Sequence, residues 1–182
     1  ASTARQLRGA RAQGGEVARA DGAIAMTIQA LIEGKIVALK SIGGFHLAAN
    51  AHDAATVDLL RRRKRRDAKP FAIMTATVES ASEYVACEPY ERELLDSPAR
   101  PIVLMRKRPS GLSPRIAPGN PNLGVMLASA PLHYLLLQDP ALPVLVMTSV
   151  KSPLPAAWPA AVLARRLCSV TAAVAAKVSV FR

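Results

Sequence analysis

Cysteine, aromatic side chains and long apolar runs are all scarce in this 182-residue chain, and each scarcity argues against a class of protein. Cys87 and Cys168 are the only cysteines. They lie far apart and outside any metal-ligand spacing, so neither a zinc site nor a disulfide-framed secreted scaffold is expected. Aromatic residues make up 4% of the sequence, which leaves no interleaved stacking platform of the kind that binds single-stranded nucleic acid. No segment approaches the ~20 consecutive apolar residues needed to cross a bilayer. No membrane partner is therefore expected, and the default compartment is the cytoplasm. Acids are also few, 13 against 24 Lys and Arg for a net charge of +11, and residues 150–182 contain none.

What is present is a block of positive charge. Arg61 to Arg66 read RRRKRR, followed by Asp67, Ala68, Lys69 and Pro70. The seven cations from Arg61 to Lys69, less Asp67, contribute +6 of the total +11. Such a block attracts nucleotide phosphates, nucleic acid or an anionic surface, and charge alone does not choose among them.

The surrounding pattern supplies the frame. Ile24, Ile28, Leu31 and Ile32 recur at helical spacing, and Gly34 occupies a usual helix-ending position. The run Ile36 to Leu39 has little polar alternation, as in a strand covered on both faces, and leads through Lys40 and Ser41 into a Gly43-Gly44 turn. Asp53 caps a second helix that carries Val57, Leu59 and Leu60 inward, and Pro70 discourages helix at Lys69. The cations thus straddle a helix end and the following loop. Further strands are expected at Phe71 to Thr75, Pro101 to Met105, Leu123 to Leu127 and Pro143 to Met147. The Pro101 strand reads as fully buried. Solvated helices are expected within residues 77–96, and another begins at Pro131. Alternating helices and buried strands indicate an α/β (α+β) domain with helices packed on a sheet. Residues 1–22 read as a leader or linker, 23–149 as the domain, and 150–182 as a divergent tail, helical or poorly ordered.

Several residues admit two readings. Gly43 and Gly44 form either an ordinary tight turn or a place where backbone approaches a ligand closely. Lys40 stands at the carboxyl end of its strand, where open α/β sheets commonly bind ligands. Thr148 and Ser149 end another strand and either donate hydroxyl hydrogen bonds to phosphate oxygens or fill a buried strand end. His133 lies beside an apolar helix face, where packing is the better reading.

The ordered segments IVALKSIGGFHLAANAHDAATVDLLRRRKRRDAKPFAIM, SPARPIVLMRKR, IAPGNPNLGVMLASAPLHYLLL and ALPVLVMTS together resemble the YrdC-like domain of the hydrogenase maturation carbamoyltransferase HypF. The resemblance covers roughly residues 23–149 and extends more distantly to the YrdC/Sua superfamily. It implies a YrdC-like twisted open mixed sheet with flanking helices. It also implies adenylation, in which carbamate derived from carbamoyl phosphate attacks the α-phosphate of ATP, usually with magnesium. Lys64, Arg66 and Lys69 match the basic motif and are expected to hold the phosphates, Lys64 and Arg66 as catalytic groups. Arg61, Arg62, Arg63 and Arg65 are expected as surface residues or electrostatic steering groups. Lys40, Gly43, Gly44, Phe45 and His46 match the turn text. His46 either contacts the carbamoyl or adenylate group or is a hydrogen-bonded structural residue. A hydrogenase-maturation protein of the HypE type, accepting carbamoyl on a thiol, is the implied partner. A module binding double-stranded RNA on a basic concave surface, or nucleotide, without catalysis is the alternative.

The chain departs from the family text in places. Val150 and Lys151 stand where Gly-Asn is usual, Ser41 replaces a glycine, and Ala49-Asn50 replaces Cys-Asp. The amide of Asn50 is expected to weaken metal or ribose contacts if the family's acid makes any.

Overall fold

The computed structural model describes residues 10–12, 15–18, 21–41, 44–66, 68–149 and 178–181. Helix α1 (Asp21–Ile32) feeds a hairpin of β3 (Ile36–Ser41) and β4 (Gly44–Asn50). Then follow α2 (Ala54–Lys64), β5 (Ala72–Thr75), α3 (Val78–Ser82), β6 (Val85–Ala86), α4 (Pro89–Asp96) and β7 (Val103–Lys107). A 3-10 turn at Pro114–Ile116 precedes β8 (Asn122–Leu127), α5 (Pro131–Leu137) and β9 (Leu145–Ser149). Three further strands, β1 (Ala10–Ala12), β2 (Gly15–Ala18) and β10 (Val178–Phe181), extend the edge beyond β3.

The strand order is β2-β1-β10-β3-β4-β9-β5-β8-β7-β6, and the seven strands β3 to β9 form its principal part. Among the described strands only β5–β8 and β1–β10 pair in parallel, so the sheet is mixed, as the family resemblance implies. Between β9 and β10, residues 150–177 lie outside the described set, and with them most of the segment read as a divergent tail.

Strand residues alternate between two cores because successive side chains point to opposite faces. Ile36, Ala38, Leu47, Ala49, Ile73 and Val146 pack with Val57 and Leu60 of α2, Val78 of α3 and Leu95 of α4. Val37, Leu39, Ala48, Met74, Leu145 and Met147 pack with Leu31 of α1 and Leu132 and Leu136 of α5. Strand β7 corrects the expectation of a fully buried element. Val103 and Met105 are buried, but Leu104 is 66% exposed, as is Ile102 at 58% just before the strand. Among the described residues, no helix covers them there. Residues 77–96, read as solvated helix, also contribute the short strand β6 and a buried Tyr84.

Helices α1 and α2 end in the same hydrogen-bond pattern. Lys35 N donates to Ala30 O and Gly34 N to Leu31 O, while Arg66 N donates to Arg61 O and Arg65 N to Arg62 O. In each case a residue just past the helix is left-handed, Gly34 at φ 72 and Arg65 at φ 47. Glycine suits this position; arginine adopts it at a cost. Gly34 is further constrained by its neighbours, since a Cβ there would lie 2.6 Å from Asp53 Oδ2 and 2.9 Å from Thr56 Oγ1. Those atoms belong to the N-cap of α2, where Asp53 Oδ1 accepts from Ala55 N and Thr56 N as the sequence led us to expect.

Two substitutions should therefore move stability in opposite directions. Gly34→Ala is expected to lower it by about 2 kcal/mol, through strain and displacement of the α2 cap. Arg65→Gly is expected to raise it by about 0.5–1 kcal/mol. Urea denaturation of both variants measures the two signs.

Candidate functional site

The organising residue of the cationic segment is Arg61. On α2, Val57, Leu60 and Arg61 share a face at i, i+3 and i+4, and all three are buried. Arg61 is only 1% exposed, which corrects its assignment to the surface. Its Nη1 donates to Arg66 O at 2.6 Å and Lys69 O at 3.2 Å. Its Nε and Nη2 donate to Arg115 O at 3.0 and 2.6 Å, and Nη2 also donates to Ile116 O at 3.1 Å. The guanidinium lies 4.8 Å from the centre of the Phe71 ring. Carbonyl dipoles and the ring face thus replace the water lost by a buried charge. Asp58 supports the same junction, binding Arg62 on its own helix and Arg115 across at 2.9 Å.

The consequence is a shaped loop. Arg65 turns the chain out of α2, and the bond to Arg66 O holds the next residue so that its side chain returns to the sheet. Arg66 Nη1 lies 3.4 Å from Thr148 Oγ1 and its guanidinium 5.5 Å from the Phe71 ring centre. Lys64 Nζ donates to Ser149 O at 2.8 Å. Two cations expected from the sequence therefore meet the two hydroxyl residues that end β9. Thr148 is 6% exposed and Ser149 is exposed. Lys69 has an exposed side chain and contributes its carbonyl to Arg61.

The β3–β4 turn reaches the same end of the sheet. Lys40 pairs with Phe45, Ser41 with Gly44, and His46 with Ser149. Gly44 has φ 130, a torsion that glycine supplies, and among the described residues, its chain neighbours aside, no heavy atom lies within 4 Å of where its Cβ would be. Gly43 and Val150 fall outside the described residues. Asn50 stands at the opposite end of β4, roughly 20 Å away at strand rise, where its Oδ1 accepts from His52 N. The amide serves a turn leading to the α2 cap, which removes the basis for expecting it to weaken ligand contacts at the cationic end.

His46 is directed to the face opposite Thr148, alongside Ala48 and toward α5. There it comes under the influence of His133, which is 2% exposed. Burial pushes the His133 imidazole down from 6.5 to about 4, helped by the nearby charge of His46; burial also lowers His46. Among the described residues, the buried His46 Nδ1 and His133 Nε2 have no hydrogen-bond partner. Packing is the right reading of most of His133, but the sequence did not disclose that the charge of His46 bears on it. The signal missed for Arg61 was its helical phase with Val57 and Leu60.

This open α/β sheet with cations gathered at one strand end has clear relatives. The Sua5/YciO/YrdC family model, described as telomere recombination, matches residues 29–176, and the chain belongs to that family. Within it, the chain is similar to the carbamoyltransferase HypF of Rhodobacter capsulatus, 53% identical over 127 residues, covering 70% of this chain and 17% of the relative. HypF of Synechocystis sp. is 45% identical over 127 residues, with 69% and 17% covered. The chain thus spans less than a fifth of the length of these curated relatives. Among solved structures, full-length HypF in its phosphate- and nucleotide-bound form superposes with a TM-score of 0.66 at 51% identity, covering 69% of this chain and 20% of that one. HypF of T. kodakarensis gives 0.73 at 40% identity, with 79% and 19% covered. E. coli YciO shares the fold, with a TM-score of 0.64 at 16% identity and 80% and 70% covered.

Two measurements probe this junction. Arg61→Lys keeps the charge but loses the fork that reaches several carbonyls, and is expected to cost about 3 kcal/mol in urea denaturation. For His133, the unfolded imidazole protonates near 6.5 and the folded one only near 4. The unfolded state therefore binds the proton first, and stability declines as pH falls through that window. His133→Phe should flatten the decline, read as urea midpoints between about pH 7 and about pH 4.

Proposed function

We propose that this domain forms carbamoyl-adenylate from ATP and carbamate, as a step in nickel-iron hydrogenase maturation. The observation that carries the reading is the convergence of Lys64 and Arg66 on Thr148 and Ser149. The family relationship to HypF carbamoyltransferases supplies the chemical context.

In the proposed step a carbamate oxygen attacks the α-phosphorus of ATP. A carbamate O–P bond forms, the α–β phosphoanhydride bond breaks, and its electron pair leaves with pyrophosphate. Negative charge gathers on the oxygens around phosphorus, so positioned cations and hydroxyl donors lower the barrier. Lys64 serves as a compact charge, and Arg66 as a planar fork able to clamp two oxygens. Phe71 backs the Arg66 guanidinium, and the Arg61 clamp holds its backbone. That preorganisation spares reorganisation during reaction. Lys69, exposed beside them, extends the field that draws in the triphosphate. Thr148 and Ser149 offer hydroxyls, and the uncrowded Gly44 allows close backbone approach. Lys40, Phe45 and His46 complete the proposed turn side of the site.

Among the described residues, no three His, Cys, Asp or Glu side chains converge to hold a metal. Magnesium, which commonly keeps most of its ligands as water and phosphate oxygen, fits here as part of the nucleotide substrate. The acceptor of the carbamoyl group is proposed to be a HypE-type thiol protein.

With ATP, carbamoyl phosphate and an acylphosphatase to generate carbamate, the chain is expected to release pyrophosphate. Lys64→Ala and Arg66→Ala should each reduce the rate by about 100-fold or more, whereas Arg62→Ala, on an exposed residue paired with Asp58, should stay within about twofold. Failure to release pyrophosphate and to bind ATP would overturn the assignment. Duplex RNA serves as a competitor in the binding assay. Salt-sensitive RNA binding without ATP binding would favour the nucleic-acid alternative.

A further inference from the structure

The strands β3, β4, β5 and β9 each send side chains into both cores. Strand β7, among the described residues, sends Val103 and Met105 into the core beneath α2, α3 and α4 and nothing into the one beneath α1 and α5. Helix α4 packs on β7 and β8 from the first side and buries Leu95 there. Successive strand residues alternate, so Ile102 and Leu104 point to the other side. Gly124 pairs with Leu104 in the neighbouring strand, and the Ile102 Cγ2 and Leu104 Cδ2 atoms lie 3.1 and 3.6 Å from where its Cβ would be. The two side chains thus close over the glycine as one apolar surface. Arg106, exposed, follows on the same face, with Asn122 and Ala86 opposite it in the adjoining strands. A second surface has the opposite charge. On α4, Tyr90, Glu93 and Leu94 share a face at i, i+3 and i+4, and all three are exposed. Residues 79–96 hold Glu79, Glu83, Glu88, Glu91, Glu93 and Asp96 against the single base Arg92, in a chain whose net charge is +11. Among the described residues the three most exposed large apolar side chains are Tyr90 at 73%, Leu104 at 66% and Ile102 at 58%, all from these two faces.

We propose that the bare face of β7 docks helix α4 of a second copy of this chain. The central strands are covered by helices on both faces, the ordinary arrangement of an α/β sheet, and β7 lacks the second layer. The layer that fits is a helix with apolar side chains one turn apart and an acid placed to meet Arg106. Helix α4 presents both in the same chain. Tyr90 and Leu94 cover Ile102 and Leu104 above Gly124, where the missing side chain permits close approach, and Glu93 meets Arg106. The incoming helix completes an α/β/α sandwich in trans. Because α4 and the bare face lie on opposite sides of the same strands, the contact joins unlike surfaces and leaves one of each open on every pair. Such a heterologous contact adds copies head to tail. The apolar area is small and the net charge repels like copies, so the contact is weak and reversible.

Sedimentation velocity of the full chain, from about 5 μM to about 500 μM, covers the span of weak contacts. The wild type is expected to shift progressively to species larger than a dimer as concentration rises. Leu104→Asp, and separately the pair Tyr90→Gln and Leu94→Gln, should each weaken association by about tenfold or more. All three positions are exposed, and urea midpoints confirm that the variants fold. An equimolar mixture of the two variants retains one intact α4 face and one intact β7 face, so it should form a 1:1 complex that grows no further. Arg106→Glu should weaken association, and adding Glu93→Arg in the same chain should restore it, which provides a reading even if Leu104→Asp does not fold. A wild type that stays monomeric throughout overturns the proposal. So does association that survives Leu104→Asp, or that Leu104→Asp abolishes while the α4 pair leaves it intact, since the bare face would then meet its own copy or another occupant. Absence of the 1:1 complex in the mixture of folded variants overturns it as well.

Discussion

A single guanidinium holds together the parts of this domain that bear charge. Arg61 is buried beneath its own helix and gathers the carbonyls of Arg66, Lys69, Arg115 and Ile116 around one planar fork. Those carbonyls come from the loop after α2 and from the 3-10 turn at Pro114–Ile116. A lysine could not span them, and an apolar side chain would leave several buried acceptors without donors. The clamp thus converts a repulsive run of cations into a loop of defined shape. Arg66 lies against Phe71 and Thr148 because its backbone is held from behind.

The same end of the sheet separates two kinds of chemistry by strand alternation. Leu47 and Thr148 face α2, whereas His46 and Met147 face α1 and α5. A shift of one residue in β4 would exchange Phe45 and His46 between faces. Charge is concentrated on the α2 side, and the imidazoles on the α5 side are held uncharged by burial. The proposed adenylation draws on the charged side of this division, with phosphate oxygens met by cations.

Much of the fold was legible because its signals are local. Gly34 marks the end of α1, Asp53 caps α2, and Pro131 begins α5, each through backbone geometry or hydrogen bonding over a few residues. The apolar run of β7 misled because composition does not report which faces find a partner, and Ile102 and Leu104 remain bare. Within the cationic run, likeness of residue type concealed difference of role. Arg61 and Arg62 are adjacent and chemically identical, yet one is a buried clamp and the other an exposed partner of Asp58.

By itself the sequence determined the order of helices and strands, the position of the glycine turn and the concentration of positive charge after α2, since these depend on neighbours in the chain. It also carried the text that relates the chain to its family. Only the tertiary structure decided which arginine is buried, that Lys64 and Arg66 meet Thr148 and Ser149 more than eighty positions away, and that His46 and His133 share one face. These depend on strand register and helix docking, where contacts are made between residues distant in sequence and burial turns identical side chains to different tasks.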